Sequence, residues 1–143
     1  IMEEVGAENI YIFGLKAEEI VELKKSGKYD PWQFYNSQPE LKRAIDMLKS
    51  GELANGDSGL FRPLYDSLMY GLDGNTPDQY FILADFADYA KTHSQIDGDY
   101  RDKIKWQKKA LHNIANMGYF SSDRSIKEYA DEIWKISPVD VTL

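Results

Sequence analysis

Apolar residues near the start of the chain form one short uninterrupted run. Residues 10–13 (IYIF) are followed by Gly14, and a run of β-branched and aromatic residues closed by glycine predicts a buried strand. A buried strand of the parallel type needs a neighbour on each side, and the rest of the chain offers few candidates. The pattern therefore predicts a strand whose partners are not in this chain.

Helical spacing of apolar residues predicts most of the remaining structure. The first helix has glutamates early and lysines late and ends at Gly27. The second is expected to be capped by Ser37, with Glu40 completing a capping box, and to end at Gly51. Further helices are expected near residues 60–70, 85–95 and 102–117. The third helix is expected to point Phe61, Leu64, Tyr65 and Leu68 inward, and the fifth is expected to carry Ile104, Leu111, Ile114 and Ala115 on one side.

The last helix is expected at about residues 125–136. Ser125 and Glu128 form a capping box in the sequence, and Pro138 is expected to end the helix. Its apolar stripe consists of Ile126, Tyr129, Ala130, Ile133 and Trp134. A stripe of this kind predicts a face that packs against a partner surface.

Three stretches lack helical spacing. Residues 29–35 (YDPWQFY) are expected to form an aromatic-rich loop or an irregular turn, and residues 71–78 (GLDGNTPD) a second loop. Residues 80–83 (YFIL) fit either a short strand or the start of a helix, and periodicity does not distinguish the two.

Composition narrows the function classes. The net charge of the 143 residues is −7, which gives no general attraction for nucleic acid or for an anionic membrane. The chain has no cysteine, which excludes disulfides and a cysteine nucleophile and suits the cytoplasm. It starts with Ile1 rather than Met, so we expect it to come from inside a larger protein.

Three motifs, at residues 6–14 (GAENIYIFG), 84–89 (ADFADY) and 113–134, together resemble those of the α-glucan phosphorylases, the family of glycogen, starch and maltodextrin phosphorylases. Residues 6–14 (GAENIYIFG) are similar to the family's G-E-E-N-[ILF]-F-[IL]-F-G stretch, and residues 84–89 (ADFADY) to A-D-[FY]-x-x-Y. Residues 113–134 resemble N-I-A-x-x-G-x-F-S-S-D-R-[ST]-I-x-x-Y-x-x-x-I-W. The departures are Ala7, Met117 and a longer loop at residues 71–79. The order of the motifs extends the resemblance over essentially the whole chain.

The resemblance implies an α/β fold, predominantly helical in this part of the protein. The chain would be the C-terminal part of the second Rossmann-like domain of a GT-B enzyme, with a terminal cross-over helix at about residues 125–136. The implied reaction is phosphorolysis of terminal α-1,4-glucosidic bonds by inorganic phosphate, which releases glucose 1-phosphate. The implied partners are the α-glucan, phosphate and the rest of a homodimeric cytoplasmic parent.

The implied cofactor, pyridoxal phosphate, is held in the family by the lysine of an S-G-T-G-N-M-K motif. Residues 1–143 contain nothing similar. We therefore expect the cofactor in the parent but not in this chain, which alone would be inactive. No residue is assigned as catalytic, cofactor-binding or metal-binding. The alternative is a stand-alone helical protein-interaction module, favoured by the apolar stripe of the last helix.

Several polar or aromatic groups are of types that occur in functional sites, but a structural role is favoured for each. Lys105, Lys108 and Lys109 are expected on a solvated helix face. Asp85 and Asp88 are expected to cap a helix rather than to act as paired carboxylates. Asp123 is expected to accept backbone N–H groups before the last helix, and Arg124 to pair with a carboxylate or cover apolar surface. The remaining groups are the histidines His93 and His112, the aromatic residues Trp32, Phe34 and Tyr35, and the loop residues 71–75.

Overall fold

The computed structural model describes residues 1–137 and 139, and every regular element in this part of the chain is helical. The longer helices are α1 (Met2–Val5), α2 (Ala17–Ser26), α3 (Pro31–Ser37), α4 (Pro39–Ser50), α5 (Arg62–Met69), α6 (Ile82–Arg101), α7 (Lys103–Asn116) and α8 (Ser122–Glu128). Short 3₁₀ turns lie at Ala7–Asn9, Glu52–Ala54 and Met117–Phe120, and a π-helical segment at Tyr129–Trp134 follows α8.

The predicted strand at residues 10–13 is wrong for the described part of the chain. These residues have no regular secondary structure, and Ile10 is extended, with φ −133° and ψ 150°. None of the hydrogen bonds among the described residues involves the backbone N–H or C=O of residues 10–13. A β-strand is defined by its hydrogen bonds to a neighbouring strand, and residues 10–13 have no such neighbour among the described residues.

The chain divides into two compact units, Ile12–Gln95 and a unit formed by Ile1–Tyr11 with Ile96–Leu143. The first of these, which we call the core unit, contains α2 to α5 and most of α6. Its core is formed by Tyr35, Leu41, Ile45, Tyr65, Met69 and Leu83, against which Trp32, Phe34, Leu48, Leu68 and Phe86 pack. These residues come from α3, α4, α5 and α6.

Glycines end two helices of the core unit where the sequence predicts. Gly27 after α2 and Gly51 after α4 both adopt the left-handed backbone conformation that commonly ends a helix. Glycine adopts this conformation without the steric strain that a Cβ atom causes. The start of α4 differs from the prediction. Ser37 belongs to α3, Gln38 occupies the position before α4, and no side chain caps this helix.

Residues 31–37 are a helix and not the predicted loop. The Asp30 carboxylate accepts a hydrogen bond from the Trp32 backbone N–H at 3.0 Å, and Pro31 takes the first helical position. Both residues are favoured at a helix start, because the acceptor satisfies an unpaired N–H and proline has none to satisfy. Helix α5, which corresponds to the third predicted helix, holds Tyr65 in the core as predicted, whereas Leu64 is exposed.

The second unit, which we call the terminal unit, has little core of its own. Of its described residues only Val5 and Asp99 are buried. The predicted apolar side of α7 is exposed, with Ile104, Leu111 and Ile114 at 63%, 66% and 72% exposure.

The last helix starts earlier than predicted. Ser121, not Ser125, is its cap, with its hydroxyl accepting from the Arg124 backbone N–H at 3.3 Å. The predicted stop at Pro138 lies outside the described residues. The role of this helix as a cross-over helix remains a prediction.

Candidate functional site

The Asn113 side chain joins α7 to the first residues of the chain in the terminal unit. Its amide nitrogen donates to the backbone oxygen of Asn9 at 2.8 Å and to that of Lys109, one turn earlier in α7, at 2.9 Å. Asn9 in turn donates from its side chain to the Val5 backbone oxygen at 2.7 Å. These bonds hold the 3₁₀ turn Ala7–Asn9 against one helix face.

The Lys109 ammonium group reinforces the same attachment. It donates to the backbone oxygen of Glu8, lies 5.0 Å from the centroid of the Tyr11 ring, and is 3.9 Å from an Asp99 carboxylate oxygen. Only 15% of its side chain is exposed. The prediction of a solvated face is therefore wrong for Lys109, because a carbonyl, a ring and a carboxylate replace water around its charge.

The Asp99 carboxylate interacts with several polar groups in this region. It accepts a hydrogen bond from the Tyr11 hydroxyl at 2.6 Å and another from Lys105. Hydrogen bonds from Lys105 and Tyr11 lower the pKa of Asp99, so that it stays a carboxylate. Burial and the bond to Asp99 raise the pKa of Tyr11 to about 12. The sequence carried no local signal for Asp99, since Tyr11 lies 88 positions away.

Two carboxylates on α6 hold a loop backbone in the core unit. Asp85 accepts from the Leu15 backbone N–H at 2.8 Å, and Asp88 accepts from that of Gly14 at 2.9 Å. The prediction that these acids cap their own helix is wrong. Gly14 has φ +87°, and a Cβ atom placed on it would lie 2.7 Å from the Asp85 carboxyl carbon.

Asp78 is the residue that caps α6. Its two carboxylate oxygens accept from the backbone N–H groups of Ile82 at 2.9 Å and Leu83 at 2.8 Å, and it also accepts from the Tyr29 hydroxyl. Burial, followed by the bond to Asp78, raises the pKa of Tyr29. Sequence reasoning missed this cap, although an aspartate just before the apolar run 80–83 is a usable signal. The run itself starts the helix at Ile82, which resolves the choice between strand and helix.

The described part of the terminal unit exposes a row of large apolar side chains. In α8 and the π-helical segment these are Ile126, Tyr129, Ile133 and Trp134, at 56%, 48%, 64% and 54% exposure. We use the name apolar surface for these four residues and for the exposed residues Ile104, Leu111 and Ile114 of α7. Exposed apolar residues of this number on neighbouring helices are typical of an interaction surface.

Motif residues at the start of α8 fix the orientation of this helix relative to the turn before it. Arg124 donates to the Tyr119 backbone oxygen, pairs with Glu128 and lies over the Tyr119 ring. The predicted role of Arg124 in pairing with a carboxylate and covering apolar surface is confirmed. The predicted acceptor role of Asp123 is performed by Ser121 instead.

The other candidates are placed as follows. Tyr35 is buried and Trp32 and Phe34 are half-buried, so these aromatic residues are packed as predicted, although in a helix. His93, His112 and Lys108 are exposed, and Lys105 is half-exposed beside Asp99. Residues 71–75 are a turn region in which Asn75 donates to the Leu72 backbone oxygen at 3.1 Å. No group of three or more metal-binding side chains lies together among the described residues.

The acidic side chains described above hold backbone and side-chain groups in position. Asp78, Asp85 and Asp88 are occupied by backbone N–H groups, and Asp99 by Lys105 and Tyr11. The assignment of no catalytic, cofactor-binding or metal-binding residue remains a prediction. Among the described helices, none combines the length and the apolar character that a bilayer crossing requires.

All three sequence motifs take part in these attachments. Asn9, in the first motif, accepts from Asn113, which opens the third. Gly14 ends the first motif, and its backbone is held by Asp88 of the second. Residues that mark the resemblance thus hold the backbone at Asn9, Gly14 and Leu15.

Comparison with known proteins agrees with the motifs. A model of the carbohydrate phosphorylase family matches residues 1–136. The chain is 44% identical over 143 residues to a glycogen phosphorylase of Synechocystis and 41% identical over 139 residues to one of Bacillus subtilis. It is 39% identical over 141 residues to the human brain form of glycogen phosphorylase.

These matches cover 97–100% of the chain but only 16–17% of the relatives. The chain therefore spans about a sixth of the length of the proteins it matches. The family match covers nearly every residue and agrees with the three ordered motifs. The chain belongs to the carbohydrate phosphorylase family.

Proposed function

We propose that this chain is the C-terminal part of an enzyme that cleaves terminal α-1,4-glucosidic bonds of a glucan with inorganic phosphate and releases glucose 1-phosphate. The observation that carries the proposal is the family match over residues 1–136, together with relatives named glycogen phosphorylase. The glucan and phosphate are the substrates of the proposed parent, which we expect to be a cytoplasmic homodimer.

Within that enzyme the chain completes a second Rossmann-like domain of a GT-B fold. Residues 10–13 have no regular secondary structure and leave their backbone groups unpaired among the described residues, as a strand would before its neighbour is added. Asp85 and Asp88 hold the backbone at the end of this segment, and Asn113 holds it at the start. We infer that residues 10–13 add to a sheet supplied by the rest of the parent.

The apolar surface supports the same role. The terminal unit buries few of its described residues, while Ile114 and Trp134 remain more than half exposed. Burial of such side chains is favourable by roughly 1.5–3 kcal/mol each. The helix at about residues 125–136 would then be the cross-over helix, and its stripe would pack on another part of the parent.

The residues present do not fit pyridoxal phosphate. A lysine that forms a Schiff base must be able to lose its proton. Lys109 is the lysine most withdrawn from solvent in its cluster, and its ammonium is occupied by the Glu8 backbone oxygen beside the Asp99 carboxylate. We expect the cofactor, and the residues that bind it, in the part of the parent outside this chain.

A complementation experiment tests the proposal. This chain and the remainder of the parent are expressed separately and mixed with glycogen, phosphate and pyridoxal phosphate. Glucose 1-phosphate is expected from the mixture and not from this chain alone. A mixture prepared with Trp134→Lys is the matched variant, and we expect it to lose most of the activity because a charge would enter the packed surface. Glucose 1-phosphate from this chain alone would contradict the proposed inactivity.

A stand-alone interaction module is the second candidate, and the exposed stripe of Ile126, Tyr129, Ile133 and Trp134 favours it. The two functions differ in the gene that encodes the chain. An in-frame upstream segment with an SGTGNMK-like motif supports the enzyme, whereas a reading frame confined to this chain supports the module.

A further inference from the structure

The core unit contains a pocket of about 410 Å³ beside the end of α2. Leu23 and Lys24 line it from α2, and Pro77 and Phe81 line it from the turn at residues 76–81 that leads into α6. The Lys24 ammonium lies 5.7 Å from the centroid of the Phe81 ring, so a side chain of the helix and one of the turn meet at this pocket. We call this space the α2 pocket.

Apolar side chains form most of the wall of the α2 pocket. The ring centroids of Tyr29 and Phe81 are 4.7 Å apart, and the ring planes meet at 72°. Phe81 is 5% exposed, and Leu23 and Tyr29 are half-buried. The Tyr29 ring also packs at 5.5 Å on the ring of Phe34, which contacts the core. Because packing already holds these side chains, a ligand would meet a surface that needs little rearrangement.

The backbone of the turn is also fixed. Asp78 and Phe81 have φ values of +42° and +60°, which residues other than glycine seldom adopt. The Asp78 backbone oxygen accepts from the Phe81 N–H at 2.8 Å, and the Asp78 N–H donates to the Ser67 backbone oxygen at 3.2 Å. Backbone of this kind persists only where the surrounding structure holds it, and it occurs often beside ligands. The turn therefore holds Phe81 in a defined place in the wall.

The acidic group of the α2 pocket is already paired. The Asp78 carboxylate accepts from the backbone N–H groups of Ile82 and Leu83 and from the Tyr29 hydroxyl. Asp78 is only 2% exposed, so these three donors leave its carboxylate little room for a further contact. The Tyr29 hydroxyl proton is used in the same bond. A ligand must therefore find its main polar partner elsewhere in the pocket.

Of the two charged residues that line the pocket, Lys24 remains available. The residue is exposed, and among the described residues no carboxylate oxygen lies within 4.0 Å of its ammonium. It lies in the last turn of α2, where the helix dipole favours a positive charge. The exposed Gln79 lines the same pocket and adds a neutral amide that can donate. The groups open to a ligand thus combine one positive charge, one amide and apolar walls.

These groups select the class of ligand. A cationic ligand would be repelled by Lys24, and an uncharged one would leave the ammonium without a partner. A planar aromatic ring can pack against Phe81, and a carboxylate on that ring can accept charge-assisted hydrogen bonds from Lys24. We propose that the α2 pocket is a binding site for a small planar aromatic carboxylate. The ring lies against Leu23, Pro77 and Phe81, and the carboxylate binds Lys24 and Gln79.

Titration of this chain with 2-naphthoate, followed by amide proton–nitrogen correlation NMR, tests the proposal. Shifts are expected at the amides of residues 23–27 and 76–81, with a dissociation constant of about 0.1–1 mM for a probe of this size. The uncharged 2-naphthylmethanol has the same ring system. It is expected to bind about 3- to 10-fold more weakly, because it lacks the charge that pairs with Lys24.

Substitutions in α2 separate the pocket from general charge effects. Lys24→Gln is expected to weaken 2-naphthoate binding about 3- to 10-fold, and Lys24→Arg, which keeps the charge, to bind within about 2-fold of the unsubstituted chain. Lys25→Gln is the matched control, because Lys25 is the next residue of the same helix, is exposed and does not line the pocket. Its binding is expected to change by less than about 2-fold.

Three results overturn the proposal. They are shifts that are absent from both segments, equal binding of 2-naphthoate and 2-naphthylmethanol, and equal weakening by Lys24→Gln and Lys25→Gln. Unchanged amide shifts outside the two segments in each variant show that the fold is retained. The site does not depend on the proposed reaction, so failure of the complementation experiment leaves it in place, and loss of probe binding leaves the reaction in place.

Discussion

The Asn113 side-chain amide lies 2.8 Å from the backbone oxygen of Asn9, although 104 positions separate the two residues. The bond ties α7 to the 3₁₀ turn in front of residues 10–13. Lys109, one turn earlier in α7, binds the neighbouring carbonyl of Glu8. The position of this turn is therefore specified by side chains from the far end of the sequence.

Asn113→Ala is expected to lower the free energy of unfolding by about 1–3 kcal/mol, because the Asn9 carbonyl would lose its partner in a partly buried place. Urea unfolding followed by circular dichroism measures the change. Asn116→Ala is the control, since the Asn116 amide binds only the exposed His112 carbonyl of its own helix, and a change within about 0.5 kcal/mol is expected. Equal losses in both variants would argue against a specific role for Asn113.

Asp85→Ala and Asp88→Ala are expected to differ. Asp85 is half-buried and its loss should cost about 1–3 kcal/mol, whereas the exposed Asp88 should cost less than about 1 kcal/mol. Amide hydrogen exchange gives the sharper measurement. Loss of Asp85 should remove protection from the Leu15 amide, and loss of Asp88 from the Gly14 amide. Unchanged exchange at both amides would contradict the assignment.

Asp78→Ala is expected to be the most destabilising single acidic substitution in the core unit, at about 2–4 kcal/mol. Asp78 is 2% exposed and its removal leaves the Ile82 and Leu83 amides and the Tyr29 hydroxyl without an acceptor. Thermal unfolding measures the loss. Asp97→Ala, which removes only a surface pair with Arg101, provides the comparison and should change stability by less than about 0.5 kcal/mol.

Tyr11 is expected to ionise late in alkali. Burial and the bond to Asp99 raise its pKa to about 12 from the usual value of 10.0. Because the folded chain holds this proton more tightly than the unfolded chain, the contribution to stability is full below pH 10 and is lost as the pH rises toward 12. Tyrosinate absorbance at 295 nm should show one late group fewer in Tyr11→Phe. Loss of an early-ionising group instead would refute the shift.

Trp134 is expected to report on the apolar surface. As the residue is 54% exposed, Trp134→Ser should change the free energy of unfolding by less than about 0.5 kcal/mol. The same variant, combined with Ile133→Ser, should raise the fraction of monomer seen by light scattering at a given concentration, because apolar patches of this kind drive association. The prediction would be contradicted if this chain without substitutions stayed monomeric at all concentrations.

Local signals were sufficient for most helices of the core unit. Glycine at Gly27 and Gly51 ended two helices as expected, since both positions adopt left-handed backbone that favours this residue. Aromatic crowding in residues 29–35 predicts a loop, but Asp30 followed by Pro31 is a helix start signal, and this local signal determines the structure.

Other features could not be predicted from local pattern. Asp85 and Asp88 bind backbone groups 70 and 74 positions away, so their spacing on a helix says nothing about their partners. The exposure of the apolar face of α7 could not be predicted for a different reason. Helical periodicity identifies an apolar stripe, but only the surrounding chain decides what covers it, and Leu111 and Ile114 have no cover among the described residues.

Gly14 and Asp85 compete for one small volume. A methyl group at position 14 would need the space that the Asp85 carboxylate fills, and it would also strain a backbone that only glycine adopts readily. Shortening the acid would free the space but release the Leu15 amide. Neither position can therefore drift alone, and a mutational library that varies them one at a time would record two intolerant sites where the molecule has a single interlocked pair.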